Sequence, residues 1–466
     1  MGLDRRQFGI LLPVFSLPGE GTLDGARTFV RFLQDTGAGI WQVLPLGPTH
    51  EDGSPYLALS ANAGNPFLIG MRSLSDRVGG PVSTLAEAYA IVGERDRRSA
   101  AFNDFLARHG GWVHDYGLFT ALRAHHGGVP WFEWPEPLRR RDDDALAEAR
   151  RAFPAEIEFV IWQQFVFFSQ WHAIKESCHA AGIALFGDVP IYVSHDSADV
   201  WQHQELFQLD GQGRATAVAG VPPDYFSPTG QRWGNPLYDW EALRRTGYDW
   251  WIERMSIQSE LFDILRIDHF RGLESYWEIP GDSPTAETGT WRAGPGATFI
   301  EQLLARLPGV ELVAEDLGTI TAEVDALRRQ FGLPGIRVLQ FGFDGVWDNP
   351  HSLGNIEENM VLYTGTHDND TSVGWYSSIP DWQKQLVNDA LSHYNRTFPD
   401  SLLACAFESR ANTVVLPVQD LLGLGSAARM NTPGTMVGNW SWRLPRDASL
   451  GRAGELLRSL KTAYDR

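Results

Sequence analysis

The feature that most constrains the fold is a series of short apolar runs, each followed by polar residues or by Gly and Pro. The eight runs are residues 8–15, 40–46, 183–193, 264–270, 310–317, 338–343, 360–366 and 413–418. Most are preceded by an amphipathic helical stretch, such as residues 25–35 or 248–263. Apolar strands that alternate with helices are typical of a parallel sheet covered on both faces. Eight such units predict an α/β fold, a closed (β/α)8 TIM barrel, with a doubly wound open sheet as the alternative.

Two gaps between the predicted strands are too long for simple strand–helix units. Residues 48–182 hold Pro- and Gly-rich loops followed by helical segments, which we interpret as a largely helical subdomain inserted after the second strand. Residues 194–247 hold a long loop rich in aromatic residues, and long loops of this kind are usually functional. We expect this loop to be a lid over the active-site face of one catalytic barrel that spans residues 1–466.

The composition narrows the class of partner. The chain carries 39 Lys and Arg against 58 Asp and Glu, which gives a formal net charge of −19. Nucleic acid and anionic membranes attract basic proteins, so neither is expected as a partner, and a neutral or cationic substrate fits better. The 18 tryptophans favour carbohydrate modestly, because aromatic rings can stack on the C–H faces of sugars. Most individual tryptophans are expected to serve packing.

The cysteines and the first residues of the sequence indicate the cellular compartment in which the protein is expected. Cys178 and Cys405 follow no disulfide or zinc spacing pattern, which is compatible with the reducing cytoplasm. No run of 18 apolar residues predicts a membrane span. Arg5 and Arg6 before an apolar stretch resemble a twin-arginine export signal, but the stretch is short and contains prolines. We therefore interpret residues 8–15 as the first buried strand and expect a cytoplasmic protein.

Two predicted strands end in carboxylic acids, at the position where a barrel carries its catalytic groups. In the fourth, Arg266 and Asp268 share one face, and the guanidinium is expected to lower the pKa of the carboxyl. Such an anion suits attack on an anomeric carbon, although the pair could instead only order the strand. In the fifth, burial and a nearby anion would raise the pKa of Glu315 and make it a proton donor. The alternative is a solvated Glu315 beside a helix-capping Asp316.

The seventh predicted strand leads into His367 and Asp368, which could bind sugar hydroxyls. A His–Asp pair could also belong to a metal site, but no second His, Cys or HxH spacing supports one, so no metal is expected. Together the three acids fit the chemistry of retaining glycosidases. In that chemistry two carboxyls lie about 5–5.5 Å apart, and one attacks while the other serves as acid and then as base. The third would stabilise the oxocarbenium-like transition state.

Longer motifs, in order along nearly the whole chain, resemble the amylomaltase, or 4-α-glucanotransferase (disproportionating enzyme), family of α-glucan-active barrels. The matching motifs are WQVLPLGPT (41–49), SPY (54–56), AGNP (63–66), GDVPI (187–191), SADVW (197–201), GQRWGNP (230–236), RIDHFRG (266–272), AEDLG (314–318), GTHDND (365–370), NTPGT (431–435) and NWSWR (439–443). The chain departs from the family pattern after Leu12, where Pro13 and Val14 stand in place of a usual His-Pro pair. Residues 78–153 match weakly.

The resemblance implies a role for each acid. Asp268 would be the nucleophile, Glu315 the general acid and base, and Asp368 the stabiliser of the transition state. Arg266 would orient Asp268. The implied reaction is retaining cleavage of α-1,4-glucan and transfer of the glucanosyl segment, through a covalent ester on Asp268, to the 4-hydroxyl of glucose or a maltooligosaccharide.

The resemblance also implies residues that bind the glucan. His367 and Asp188 would bind hydroxyls near the scissile bond, Tyr56 would line the cleft, and Asn369 would bind substrate with them. The residues expected to cover the glucan and shape the acceptor subsites are Tyr225, Phe226 and Trp233. For Trp233, binding and loop packing are equally favoured by the sequence.

The expected partners are a maltooligosaccharide or α-glucan donor and a sugar acceptor, and no cofactor is implied. The sequence leaves the oligomeric state open and is compatible with a monomer. One alternative function is an α-1,4-glucan hydrolase of the same barrel class, which would use the same acids with water as acceptor. A non-catalytic glucan-binding protein is the other, and the presence of all three acids in their motifs counts against it.

Overall fold

The computed structural model describes residues 2–223, 227–435, 437–446, 448 and 450–466, and its strands form two sheets. The strands are β1 Gln7–Leu11, β2 Ile40–Gln42, β3 Ala184–Val189, β4 Ala217–Val221, β5 Gln231–Pro236, β6 Ile264–Ile267, β7 Ser275–Pro280, β8 Thr290–Ala293, β9 Glu311–Ala314, β10 Gly335–Val338, β11 Met360–Tyr363 and β12 Thr413–Pro417. Tyr225 and Phe226, predicted to cover the glucan, lie outside the described residues.

Helices fill most of the connections between these strands. They are α1 Ala26–Thr36, α2 Met71–Val78, α3 Leu85–Arg97, α4 Ala100–His125, α5 Glu136–Arg139, α6 Asp143–Ala152, α7 Pro154–Ala180, α8 Ala198–Gln202, α9 Trp240–Arg245, α10 Asp249–Leu261, α11 Gly296–Arg306, α12 Ala322–Gln330, α13 Ser372–Ser378, α14 Asp381–Leu391, α15 Asp400–Glu408, α16 Val418–Leu421 and α17 Leu450–Tyr464. None of the helices in the described residues is both long and apolar enough to cross a membrane.

The larger sheet is a parallel barrel. Its eight strands follow the order β10-β11-β12-β1-β2-β3-β6-β9. The two ends of this order approach each other, because the Ala314 N–H at the end of β9 donates to the Pro334 carbonyl just before β10 over 2.9 Å. The chain is therefore a (β/α)8 barrel, and the alternative of a doubly wound open sheet is wrong.

All eight predicted strands overlap observed ones, but the sixth was placed too late and shares only Val338 with its strand. We predicted residues 338–343, whereas β10 ends at Val338 and the chain continues as a 3-10 helix over Leu339–Gly342. Arg337 breaks the apolar pattern inside β10, and its guanidinium is paired with Asp316 at 3.0 Å. Asp316 also accepts the Ile336 N–H at 2.6 Å. It therefore ties β9 to β10, and its alternative role as a helix cap is wrong.

The interior of the barrel is a layer of apolar side chains contributed by alternate positions of the strands. Ile264 of β6 and Phe186 of β3 belong to this buried interior cluster. Because side chains alternate along a strand, the residues two positions later on each strand, Arg266 and Asp188, point to the same interior. These strands thus carry charged side chains inward at the carboxyl end of the barrel, above an apolar floor.

The segment 48–182, predicted to be mainly helical, contains α2 to α7. Helix α7 leads directly into β3, and its buried Gln164 exchanges two hydrogen bonds with Gly64 of the loop after β2, at 2.8 and 2.9 Å. This exchange fixes the loop against the barrel. The division of this segment from the barrel as a subdomain stays a prediction.

The smaller sheet is antiparallel, with the order β5-β4-β7-β8. Two of its strands lie within residues 194–247, which we predicted as a lid loop, and the other two follow β6. The sequence analysis did not anticipate these strands. Trp233 of β5 packs against His269, the residue after Asp268, so this sheet lies beside the predicted acids.

Candidate active site

The centre of the predicted site is the buried guanidinium of Arg266. Asp188 on β3 is its register partner across the sheet, and Nη1 of Arg266 lies 2.8 and 2.7 Å from the two carboxylate oxygens of Asp188. The same nitrogen lies 2.9 Å from Oδ1 of Asp268. One cation therefore holds two carboxylates, which raises the pKa of Arg266 against the opposing effect of burial.

Asp268 directly follows β6, and its backbone continues the hydrogen bonding to the neighbouring strand β3. Its backbone N–H donates to the Val189 carbonyl at 3.0 Å, and 28% of its side chain is exposed. Burial raises the pKa of Asp268 to about 6, and the charge of Arg266 only partly opposes this. We predicted that Arg266 would lower this pKa, and the net direction is the opposite. The reason is that desolvation and the charges of Asp188 and Asp368 outweigh one guanidinium.

Glu315 follows β9 in the same way. Its backbone N–H donates to the Ile267 carbonyl at 3.1 Å. Its carboxylate accepts the backbone N–H groups of His269 at 2.7 Å and Leu317 at 2.8 Å, so its orientation is fixed by main chain rather than by mobile side chains. Burial and the charge of Asp268 raise the pKa of Glu315 to about 7, against the lowering effect of Arg266.

The backbone register places Asp268 and Glu315 next to each other. Strands β6 and β9 are parallel, and Ile267 is paired with Ala314. The two acids are the next residue along each strand, and neighbouring strands lie about 4.8 Å apart. The site therefore contains two adjacent carboxyls, and burial raises the pKa of both.

Asp368 follows β11 and lies in a different electrostatic setting. Its Oδ1 accepts from Nδ2 of Asn431 at 2.6 Å, and Nε2 of His367 lies 3.4 Å from its Oδ2. Burial acts to raise the pKa of Asp368, but His367 and Asn431 outweigh it and hold the pKa well below its usual range. Burial acts to lower the pKa of His367, yet the adjacent Asp368 raises it. Asp368 is therefore the acid of this centre that stays ionised.

Tyr56 connects the two halves of the site. Its hydroxyl lies 2.8 Å from Oδ2 of Asp188 and 2.9 Å from Nε2 of His367, and it donates to the carboxylate. Its ring is stacked on that of His367, with centroids 5.2 Å apart, and the ring of Trp440 lies 5.8 Å away. Burial, reinforced by the charge of Asp188, raises the pKa of Tyr56, so it stays a neutral donor.

Trp233 on β5 is brought to the edge of this centre. Its ring meets that of His269 edge to face, with centroids 4.9 Å apart. His269 lies in the left-handed region, with φ of 50°, which is uncommon for a residue other than Gly. Burial lowers the pKa of His269 to about 3, so its ring is neutral. Trp233 thus packs on the residue whose backbone N–H holds Glu315.

The side chain of Asn369, predicted to bind substrate, makes hydrogen bonds within the protein. Its Oδ1 accepts from the backbone N–H and the hydroxyl of Thr366, both at 2.9 Å. These bonds close the turn that carries His367 and Asp368. The remaining predicted residues, Tyr225 and Phe226, lie outside the described part of the chain.

Two hollows lie beside the partners of the acids. One is lined by Tyr56 and Asp188 among others. The other is lined by His367 and Asn369 among others. The described residues contain no group of three or more His, Cys, Asp and Glu side chains placed to hold a metal ion. What this arrangement offers is a pair of carboxyls with separate protonation states, beside an ionised third acid.

Sequence reasoning missed four residues that shape this centre. Asn431 bonds Asp368, and Arg429 donates to the Asp368 carbonyl at 2.7 Å. Trp440 lies beside Tyr56, and His269 holds Glu315 through its backbone. Asn431 and Trp440 stand in motifs that we matched to the family without assigning a role. Only the folded chain shows that the C-terminal segment returns to the catalytic end.

Comparison with known proteins gives consistent matches over almost the whole chain. The family model described as 4-alpha-glucanotransferase matches residues 12–448. The chain is 46% identical to the 4-alpha-glucanotransferase of Thermus thermophilus, over 99% of both chains. It is 43% identical to that of Synechocystis sp., over 96% of this chain and 95% of the relative. Its structure matches that of the amylomaltase from Streptococcus agalactiae in complex with acarbose, with a TM-score of 0.94, 34% identity and coverage of 99% and 100%.

Proposed function

The chain belongs to the 4-α-glucanotransferase family, and we propose that it acts as such an enzyme through a double displacement on the Asp268–Glu315 pair. The donor is an α-1,4-glucan and the acceptor is the 4-hydroxyl of glucose or a maltooligosaccharide. The observation that carries the proposal is the pair itself. The two carboxyls follow neighbouring strands in register, and burial raises the pKa of both.

In the first displacement, Asp268 attacks the anomeric carbon and the glycosidic C–O bond breaks. Glu315, still protonated where Asp268 has lost its proton, gives its proton to the departing 4-oxygen, so the leaving glucan departs as a neutral alcohol. Arg266, which lies 2.9 Å from Asp268, keeps the attacking oxygens in place. The product of this step is a glucanosyl ester on Asp268.

In the second displacement, Glu315 is an anion and acts as base. It takes the proton of the incoming 4-hydroxyl, the acceptor oxygen bonds to the anomeric carbon, and the ester bond to Asp268 breaks. Two inversions give net retention, so the new linkage is again α-1,4. The backbone N–H groups of His269 and Leu317 stabilise the carboxylate that Glu315 carries between the two steps.

The neighbouring polar groups bind the sugar that is being transferred. Asp368 remains ionised and holds ring hydroxyls more strongly as positive charge develops on the sugar. His367 donates to hydroxyls, since Asp368 favours its protonated form. Tyr56 and Asp188 complete this wall of the cleft, and Asn369 shapes it by closing the turn.

The balance between transfer and hydrolysis depends on keeping water away from the ester. We propose that Trp233, Tyr225 and Phe226 cover the acceptor side, with residues 194–247 as the lid and residues 48–182 as a supporting helical subdomain. A positioned acceptor gains an effective concentration up to about 10⁵ M or more, far above that of water. The packing of Trp233 on His269 supports a place for this ring beside Glu315.

The setting that we propose is the cytoplasm. Cys178 and Cys405 are both buried and unpaired thiols, and this is compatible with a reducing compartment. The glucan donor and the sugar acceptor would be the partners there, and a monomer stays a prediction.

Maltotriose supplied as the sole sugar tests the proposal. A transferase releases glucose and produces maltotetraose, maltopentaose and longer chains, which chromatography resolves. A hydrolase releases only glucose and maltose, and that pattern would replace our conclusion with the hydrolytic alternative. An Asp268→Asn variant, analysed in parallel, excludes a contaminating enzyme because it should leave maltotriose intact.

A further inference from the structure

A second aromatic surface lies on the loop after β10. Trp347 is 87% exposed, and Val346 beside it is 49% exposed. Single exposed apolar residues are common and need no explanation, but adjacent ones mark interaction sites. The described aromatics of the proposed cleft, Tyr56 and Trp233, are more covered than Trp347. We call the surface formed by Trp347 and the groove next to it the loop platform.

The loop that carries Trp347 is internally braced. Nδ2 of Asn349 donates to the Phe341 carbonyl and to the carboxylate of Asp344, both at 2.8 Å. Nδ2 of Asn355 donates to the Trp347 carbonyl at 2.9 Å. These bonds fix the backbone on both sides of Trp347 while its indole faces solvent. A braced backbone presents the indole from a fixed position and needs little ordering on binding, which favours a role as a preformed platform.

A groove adjoins Trp347 and separates its loop from α14. Its walls include Phe343, Val346 and Leu353 from the loop and Leu386 from the helix. Trp382, 57% exposed, lies one helical turn before Leu386 and therefore on the same side of α14. The platform thus combines an exposed indole with a concave apolar surface.

The loop platform lies at the same end of the barrel as the proposed cleft. It follows β10, so it belongs to the carboxyl end of the barrel, where Asp268, Glu315 and Asp368 lie. Nε2 of Gln340 donates to the Asp370 carbonyl at 2.9 Å, which joins the start of this loop to the turn that carries Asp368. A chain that leaves the cleft on this side would meet the platform next.

We propose that the loop platform binds an α-1,4-glucan chain away from the bond that is cut, an inference that rests on the function proposed above. Charge favours this occupant over the alternatives. The molecule carries a net charge of −19, and Asp344 and Asp348 flank Trp347, so polyanions, anionic membranes and a second copy of the chain are repelled. A neutral glucan is not repelled, and it offers C–H faces to the indole and hydroxyls to the acids.

Substrate length is the variable that isolates this platform. Maltotriose is too short to fill the cleft and reach beyond it, whereas amylose can do both. We expect Trp347→Ala to lower kcat/KM for transfer from amylose to glucose by about fivefold to tenfold, mainly through KM. The rate on maltotriose should stay within about twofold, as expected for a residue that contacts only the longer chain. Trp347→Phe should retain most of the amylose rate, and Ile91→Ala, an exposed apolar residue on α3, is the matched control.

Binding without turnover provides the second readout. In a native gel that contains amylose, the unsubstituted protein should be retarded, Trp347→Ala should migrate faster, and Ile91→Ala should behave as the unsubstituted protein. This gel separates the inference from the proposed function, because it reads binding even if maltotriose is not disproportionated.

Three results would overturn the loop platform as a glucan site. Equal losses on amylose and maltotriose would place Trp347 in the cleft or in the fold. No change on either substrate or in the gel would remove Trp347 from glucan binding. A dimer that Trp347→Ala converts to a monomer in gel filtration, with unchanged amylose kinetics, would make the surface an interface between copies.

Discussion

Two buried arginines at opposite ends of the barrel face very different partners. At the carboxyl end, Arg266 is held by the carboxylates of Asp188 and Asp268. At the amino end, Arg466 donates only to backbone carbonyls and a hydroxyl, including the carbonyls of Phe407 at 2.7 Å and Ser409 at 2.8 Å. Burial lowers the pKa of Arg466, whereas the acids around Arg266 raise its pKa.

The different partners of the two arginines indicate different roles, in the proposed chemistry for Arg266 and in stability for Arg466. Arg466 ties together the chain around β1 and β12, since its other acceptors are the carbonyls of Gln7 and Asn412. Neutral acceptors satisfy this cation without creating a group that can change its charge near neutral pH. Around Arg266, burial and the charges of neighbouring carboxylates raise the pKa of Asp268 and Glu315, and one cation only partly opposes this. The proposed catalytic groups at one end and the structural ties at the other fit the general design of barrels.

The largest effect is expected from Asp268→Asn. The amide has nearly the same shape but cannot form the ester, so kcat for maltotriose disproportionation should fall by about 10⁴-fold or more. Stability should change little, since the substitution removes a negative charge from an acid-rich site. Kinetics and urea unfolding measure the two quantities. Substantial residual transfer by purified protein would show that Asp268 is not the nucleophile.

Glu315→Gln should cost about 10²-fold to 10⁴-fold in kcat on maltotriose, the usual range for loss of a general acid. The loss should shrink on an α-maltosyl fluoride donor, because fluoride leaves without being protonated. Asp268→Asn should show no such recovery, which makes it the matched control. Equal losses on both donors would contradict an acid role for Glu315 in the first step.

The three candidate acids could be predicted from the sequence because Asp268 and Glu315 directly follow apolar barrel strands and Asp368 lies in the turn after a third. The smaller sheet could not be predicted, because two of its strands lack the apolar pattern of a buried strand. β5 contains Gly and Pro and resembles a turn, and β8 is exposed at every residue, so neither shows an apolar period. β10 was misplaced because Arg337, neutralised by Asp316 across the sheet, interrupts the apolar run.

The partners of the acids were also hidden from the sequence. Asn431 lies 63 residues from Asp368, and no local pattern links them. The net direction of the pKa shift of Asp268 could not be read from its neighbours along the strand either. It depends on desolvation and on Asp188 and Asp368, which come from two other strands.

Asn431→Ala should have an intermediate effect. It removes a hydrogen bond of 2.6 Å to Asp368, and bonds to charged groups contribute about 1.5–3 kcal/mol, so kcat should fall by about tenfold to a hundredfold. Loss of the donor should also raise the pKa of Asp368. Asn439→Ala, which removes a side chain from the same C-terminal segment that bonds only its own loop, is the control. Equal losses in both variants would assign the effect to the loop rather than to Asp368.

The pH dependence should follow the two raised pKa values. Below about 6, Asp268 gains a proton and loses its ability to attack, and above about 7, Glu315 loses the proton that it must donate. We expect kcat/KM to be greatest between these values and to fall by about tenfold per pH unit on each side. In Glu315→Gln the alkaline fall should disappear from the residual activity. The range from pH 5 to 8 extends about one unit beyond both pKa values, so a profile that stays flat across it would contradict the assignment.

The smallest effect on activity is expected at the opposite end of the barrel. Arg466→Ala removes the hydrogen bonds that its guanidinium donates to four backbone carbonyls, which should lower the free energy of unfolding by about 1–3 kcal/mol in urea denaturation. Arg458→Ala on α17 removes a more exposed guanidinium with one long contact, at 3.5 Å to Asp35, and should change stability by less than about 0.5 kcal/mol. Both variants should keep kcat on maltotriose, because neither side chain lies at the carboxyl end. A loss of activity in folded Arg466→Ala would show that the two ends of the barrel are coupled, and the separation of chemistry from stability would then be wrong.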